Sequence, residues 1–127
     1  MIHLDTNLLI GAEDQTDPQH QTSRRVLARL DSFACSAVAW MEFLSYPGVP
    51  QPLREALKNL LTGGIVPFDE ATATFAGELF HLTGSKRRTR LDTMIAATAI
   101  LAAAQLATTN PNDFTPFIPH GLKLLLL

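Results

Sequence analysis

The chain has one cysteine, no apolar run of membrane-spanning length and almost no net charge, and each scarcity removes a class of protein. Cys35 stands alone among 127 residues, so no intramolecular disulfide can form; its neighbours Phe33, Ala34 and Ala37 mark it as a packed thiol. The longest nearly apolar stretch, Met94 to Ala104, is interrupted by Thr98 and falls short of the roughly 20 residues that cross a bilayer. Met1-Ile2-His3-Leu4-Asp5 has no basic region followed by an apolar run, so no secretory signal is visible and a cytosolic protein with no membrane association is expected. A formal charge of −2 gives no global attraction to nucleic acid. Its distribution says more: Lys86, Arg87, Arg88 and Arg90, four of the ten basic residues, lie within five positions. At 127 residues the chain is most economically one domain over residues 1–127, with one core.

What is present is an alternation of short apolar runs and amphipathic stretches. Ile2 to Leu4, Phe33 to Ser36, Ile65 to Phe68, Leu106 to Thr108 and Leu122 to Leu127 read as strands. Between them, helices are expected from Thr6 to Ala12, about Pro18 to Leu30 (with Val26, Leu27 and Leu30 on one stripe), Ala37 to Tyr46, and Leu53 to Leu61. Two more are expected, Asp69 to Leu82 and Leu91 to Ala104. Leu91 to Ala104 is apolar on every side, which suits a helix packed in the interior. Ser85 to Arg90 reads as a basic loop, and Asn110-Pro111-Asn112 as a turn. Strands alternating with helices predict an α/β fold of three layers, a mostly parallel sheet of four to five strands flanked by helices.

Four places set an acid or carboxamide beside sequence that should be buried: Asp5, Glu42, Asp92, and the turn Asn110 to Asp113. Each has an ordinary explanation. Asp5 and Asn7 can cap the helix that follows the first strand, Thr89 to Asp92 fits a capping box, Glu42 can sit on a helix edge, and Asn110 and Asp113 can build a turn. Their order changes this reading. Asp5, Asn110 and Asp113 follow strands, while Glu42 and Asp92 lie in early helical turns, and in a parallel sheet the strand ends and the helix starts after them share one edge. Carboxylates gathered in poorly hydrated surroundings neutralise or hold a cation. Oxygen ligands without a second cysteine or a paired-histidine motif select Mg²⁺ or Mn²⁺ over zinc. Such an ion suits phosphoryl chemistry, because it lowers the pKa of a water nucleophile and neutralises phosphate charge. The basic segment beside Asp92 would hold a nucleic-acid backbone next to it, or else is an ordinary solvated loop.

These residues resemble the PIN-domain family, and within it the VapC-like toxins of toxin–antitoxin pairs. The resemblance is carried by Leu4-Asp5-Thr6-Asn7, by Glu42 in Ser36-Ala37-Val38-Ala39-Trp40-Met41-Glu42-Phe43, by Leu91-Asp92-Thr93-Met94-Ile95-Ala96-Ala97-Thr98-Ala99, and by Thr108-Thr109-Asn110-Pro111-Asn112-Asp113-Phe114. It implies a metal-dependent endoribonuclease in which Asp5, Glu42 and Asp92 match the three family acids. The fourth position falls on Asn110, which carries no charge, with Asp113 three residues on as the other choice. Thr6 and Thr108 match hydroxyls that support the site, and Asn7 is grouped with them. The resemblance further implies an RNA substrate, a small antitoxin partner and a homodimer.

Two alternatives stand beside it. Asn110 motivates a PIN-like module that has lost catalysis and binds RNA or protein through Lys86, Arg87, Arg88 and Arg90. An aspartyl-phosphate hydrolase of the haloacid dehalogenase type would need a second Asp two residues after the first, where this chain has Asn7.

Overall fold

The computed structural model describes all of residues 1–127. Five parallel strands, β1 (Ile2–Leu4), β2 (Phe33–Ser36), β3 (Gly64–Val66), β4 (Gln105–Ala107) and β5 (Lys123–Leu124), form one sheet in the order β3-β2-β1-β4-β5. The helices are α1 (Thr6–Glu13), α2 (His20–Leu27), α3 (Ala37–Leu44), α4 (Gln51–Leu60), α5 (Glu70–Leu82) and α6 (Arg90–Leu101). From β1 the chain winds outward through β2 to β3, then returns across the sheet through α5 and α6 to β4 on the other side of β1. Right-handed crossovers running in opposite directions lay their helices on opposite faces, which gives the three layers expected from the alternation of elements.

The core follows from the central position of β1. Ile2, Leu4, Cys35 and Leu106 from the sheet join Leu8, Leu9 and Phe43 from the helices, and Ile95, Ala96, Ala97 and Ala99 of α6, in one buried cluster. Cys35 is fully buried, and burial pushes its thiol up to about 12, so it is an inert packing group. The interior helix has the expected character over Thr93 and Ile95–Ala99, whereas Leu91 and Leu101 at its ends are exposed.

Some boundaries differ from expectation. The last strand is two residues long, not six, because β4 ends at Ala107 and Thr108 turns away. Leu125 N–H still reaches the Leu106 carbonyl at 2.8 Å, but Leu126 and Leu127 have no strand to pair with and are exposed. Helix α2 stops at Leu27, so Leu30 leaves the predicted stripe and is fully exposed. Leu82, the last residue of the α5 stripe, is exposed as well. The basic stretch is not wholly irregular: Arg87–Thr89 form a 3₁₀ turn that runs into α6.

Candidate functional site

The strand order reverses at β1, between β2 on one side and β4 on the other. Ligands of open α/β sheets bind at the carboxyl ends of the strands at such a reversal. The chain leaves β1 at Asp5 and β4 at Thr108, so both side chains stand at this point. The Asp5 N–H donates to the Ala107 carbonyl at 3.0 Å, which fixes the two strand ends together. Asp5 caps α1 by accepting the Thr6 N–H at 2.8 Å; its other carboxylate oxygen accepts the Thr108 hydroxyl at 2.8 Å. Glu42 comes from α3, which starts directly at the end of β2 with Ser36 as its cap. The Thr6 hydroxyl donates to Glu42 Oε1 at 3.0 Å. Thr6 and Thr108, which the resemblance marked as supporting hydroxyls, thus each donate a hydrogen bond to one acid. Asn7 lies half-buried on α1 and contributes no hydrogen bond to the group.

Asp92 arrives on the first turn of α6. The capping box drawn from sequence does not form: the Thr89 hydroxyl donates back to the Lys86 carbonyl at 2.7 Å, and Thr89 makes no side-chain cap. The 3₁₀ turn already occupies the place where a cap would stand, so Asp92 is left free of this duty. Asp92 and Asp113 open onto a cleft of about 360 Å³ that is also lined by Lys86, Arg88, Asn112 and Phe117. Asn110 does not line it. Its side chain is exposed, while its N–H donates to the Thr108 hydroxyl at 3.0 Å, which completes a chain from Asn110 through Thr108 to Asp5.

The electrostatics tie the acids together. Asp5 is 4% exposed. Burial raises its pKa above the usual carboxylate value, against the hydrogen bonds from Thr108 and Thr6, and the charges of Glu42 and Asp113 raise it further. Asp92 is pushed up to about 7, first by burial and then by Asp5, Asp113 and Glu42. Asp5, Glu42, Asp92 and Asp113 thus form one field of mutually repelling charge. Asp113 belongs to it and Asn110 does not. No basic residue relieves either shifted acid; the protein's single ion pair, Arg29–Asp31 at 2.6 Å, involves neither.

No three of these side chains stand close enough together to hold a metal ion directly. The donor set nevertheless suits a hard, hydrated cation, since Mg²⁺ keeps several of its waters and is bound through one or two carboxylates rather than by an all-protein cage.

The basic segment divides. Lys86 and Arg88 line the acid cleft; Arg90 lies over the Phe80 ring, 5.6 Å from its centroid, and borders a separate groove with Phe68 and Met94. Arg87 is exposed and lines neither. Sequence reasoning treated Asn112 only as a turn former and passed over Thr83, yet both line the cleft. Thr83 lies at the end of α5, so only the packing of α5 against α6 brings it there.

The PIN-domain family model matches residues 2–115. The chain belongs to the PIN-domain family. Among solved structures, this PIN domain is similar to FitAcB from Neisseria gonorrhoeae, at 22% identity over 99% of this chain and 97% of that one with a TM-score of 0.69. It is also similar to VapBC2 from Rickettsia felis bound to a DNA fragment from its promoter, at 23% identity over 98% of each chain, TM-score 0.67. A third is VapC20 of Mycobacterium tuberculosis, described as a Sarcin-Ricin loop cleaving toxin, at 17% identity over 83% of this chain and 85% of that one, TM-score 0.66. At these identities the likeness is one of fold. No curated protein matches the chain by sequence.

Proposed function

We propose that this PIN domain is a divalent-metal-dependent endoribonuclease, the toxin of a toxin–antitoxin pair. The observation that carries the reading is the convergence of Asp5, Glu42, Asp92 and Asp113 at the strand-order reversal with no basic residue paired to any of them. Only Asp5 is buried, with Glu42 and Asp92 half-buried and Asp113 exposed, but like charges gathered around a buried carboxylate are destabilising, and a bound cation would offset that repulsion. Asp5, Glu42, Asp92 and Asp113 would hold Mg²⁺ or Mn²⁺, in part through water, and Asn110 would serve only through its N–H on Thr108. When bound, the ion supplies an activated water and charge neutralisation at a phosphodiester. The chain's own part is to hold the acids: Thr108 and Thr6 each give a hydroxyl to one carboxylate, which fixes its orientation and leaves lone pairs for the ion.

The choice of RNA and of an antitoxin partner draws on the family and on fold neighbours solved as toxin–antitoxin complexes, among them one from Klebsiella pneumoniae. A homodimer in the cytoplasm completes the reading; no helix is long and apolar enough to cross a membrane. The alternative of a module without catalysis rests on Asn110; the position of Asp113 in the cleft with Asp92 supports the catalytic reading over it. The test is cleavage of total cellular RNA by the purified chain with Mg²⁺ or Mn²⁺, set against Glu42→Gln. Metal-dependent cleavage that disappears in the variant is expected, and cleavage unchanged by Glu42→Gln overturns the assignment.

A further inference from the structure

Lys86 and Arg88 share a cleft with Asp92 and Asp113, yet no nitrogen of either comes within 4.0 Å of a carboxylate oxygen. Opposite charges lining one cleft normally pair, and Arg88 and Asp92 have the i,i+4 spacing at which helical ion pairs form. The backbone does not carry the two in one helical register. Gly84 and Ser85, at φ 105° and 57°, turn the chain at the end of α5, and Arg87–Thr89 then follow a 3₁₀ path. Three residues per turn instead of 3.6 move Arg88 off the row that Asp92 occupies on α6. Both cations are exposed, and their charge and donors stay available to a ligand.

A cleft lined by both cations and carboxylates fits neither a lone anion nor a lone cation. It fits a ligand that brings both, and a phosphodiester strand accompanied by a metal ion is such a ligand. The other two basic residues are disposed differently, Arg90 on the Phe80 ring and Arg87 away from the cleft. Resting on the RNA reading above for its ligand, we propose that Lys86 and Arg88, and neither Arg87 nor Arg90, form a phosphate subsite that lays an RNA strand across the cleft facing Asp92 and Asp113.

The experiment is binding of a short fluorescent single-stranded RNA of mixed sequence to the full chain in Ca²⁺, over a series of salt concentrations. Arg88→Ala and Lys86→Ala are each expected to weaken binding about tenfold and to reduce the salt slope by about 0.7, the value for one lost contact to a single strand. Arg87→Ala should stay within about twofold, since an exposed charge outside the path adds only screened attraction, and Arg88→Lys should recover part of the loss. Equal losses from Arg87→Ala and Arg88→Ala would overturn the subsite and return the segment to a diffuse basic surface, as would a parent chain that binds no RNA. Binding with the expected variant pattern but no cleavage in Mg²⁺ or Mn²⁺ would support the subsite and remove the ribonuclease reading.

Discussion

Two aspartates do the same local job in opposite electrostatic circumstances. Asp5 caps α1 after β1, and Asp69 caps α5 after β3. Asp69 is exposed and accepts both the N–H and the hydroxyl of Thr72, at 2.9 and 2.7 Å; those bonds hold its carboxyl below the usual range. Asp5 also accepts two hydrogen bonds, yet burial and the neighbouring acids leave it raised. The difference lies in the strand each one follows. β3 is an edge strand, whereas β1 is central and adjoins the reversal of strand order, where α3, α6 and the segment after β4 deliver Glu42, Asp92 and Asp113. Capping explains both residues locally, and only convergence separates a site from a cap.

The largest expected effect breaks the pair apart on activity. Asp5→Asn keeps a capping oxygen and should preserve the fold, yet metal-dependent RNA cleavage should fall by more than about 100-fold, beyond the usual cost of losing an outer-shell partner. Asp69→Asn should cleave at the parent rate. Initial rates on one RNA measure both, and equal rates for the two variants would contradict the site. Next in size is Thr108→Val, which removes the hydroxyl from Asp5 and from the Asn110 N–H. A loss of about 10- to 100-fold is expected, the range for partners that orient a ligand. Thr108→Ser, which keeps the hydroxyl, should recover most of it.

The candidate acids stood out in the sequence because Asp5 and Asp92 sit where one element ends and the next begins while Glu42 interrupts the apolar stretch Trp40 to Leu44, a pattern that parallel topology converts into proximity. Asp5, Glu42 and Asp92 needed only the order of elements. The choice between Asn110 and Asp113 did not follow, since it depends on the 3₁₀ turn Pro111–Asp113, which leaves Asp113 lining the cleft and Asn110 outside it. The division of the basic segment was hidden for the same reason: Arg88 and Arg90 are two residues apart, and only the change from 3₁₀ to α geometry sends one to the acids and the other to Phe80. The long C-terminal strand was over-read because apolar composition says nothing about where its partner stops. Leu30 and Leu82 were over-read alike, as stripes continued past the end of a helix or into its last, solvent-facing turn.

The smaller effects are on stability, where the two aspartates should give opposite pH dependence. Asp92 shifts from an ordinary 3.8 to about 7, so the folded state holds a proton that the unfolded chain releases. Its stabilisation is complete below the ordinary value and is lost as pH rises toward 7; Asp5, raised too, acts in the same direction. Asp92 and Asp5 should therefore destabilise the metal-free protein progressively between about pH 4 and 7. His3 opposes them, since burial lowers its pKa and its contribution to stability rises as pH approaches the ordinary value of 6.5. Asp92→Asn should remove the Asp92 part of that trend. Mg²⁺ or Mn²⁺ needs the ionised carboxylates, so its stabilisation should grow over the same interval. At a hundredfold excess over Kd it would reach about 2.7 kcal/mol, and in Asp92→Asn it should shrink. Asp69, whose pKa is lowered, contributes stability that is present above the ordinary value and lost on acidification below it. Asp69→Ala should lower the melting temperature slightly at neutral pH, with no change in the response to metal. Thermal melts of the parent and both variants across this range, with and without Mg²⁺, decide the matter. A parent slope that survives Asp92→Asn unchanged would mean that the acids at the strand-order reversal are no more coupled than the cap at the sheet edge.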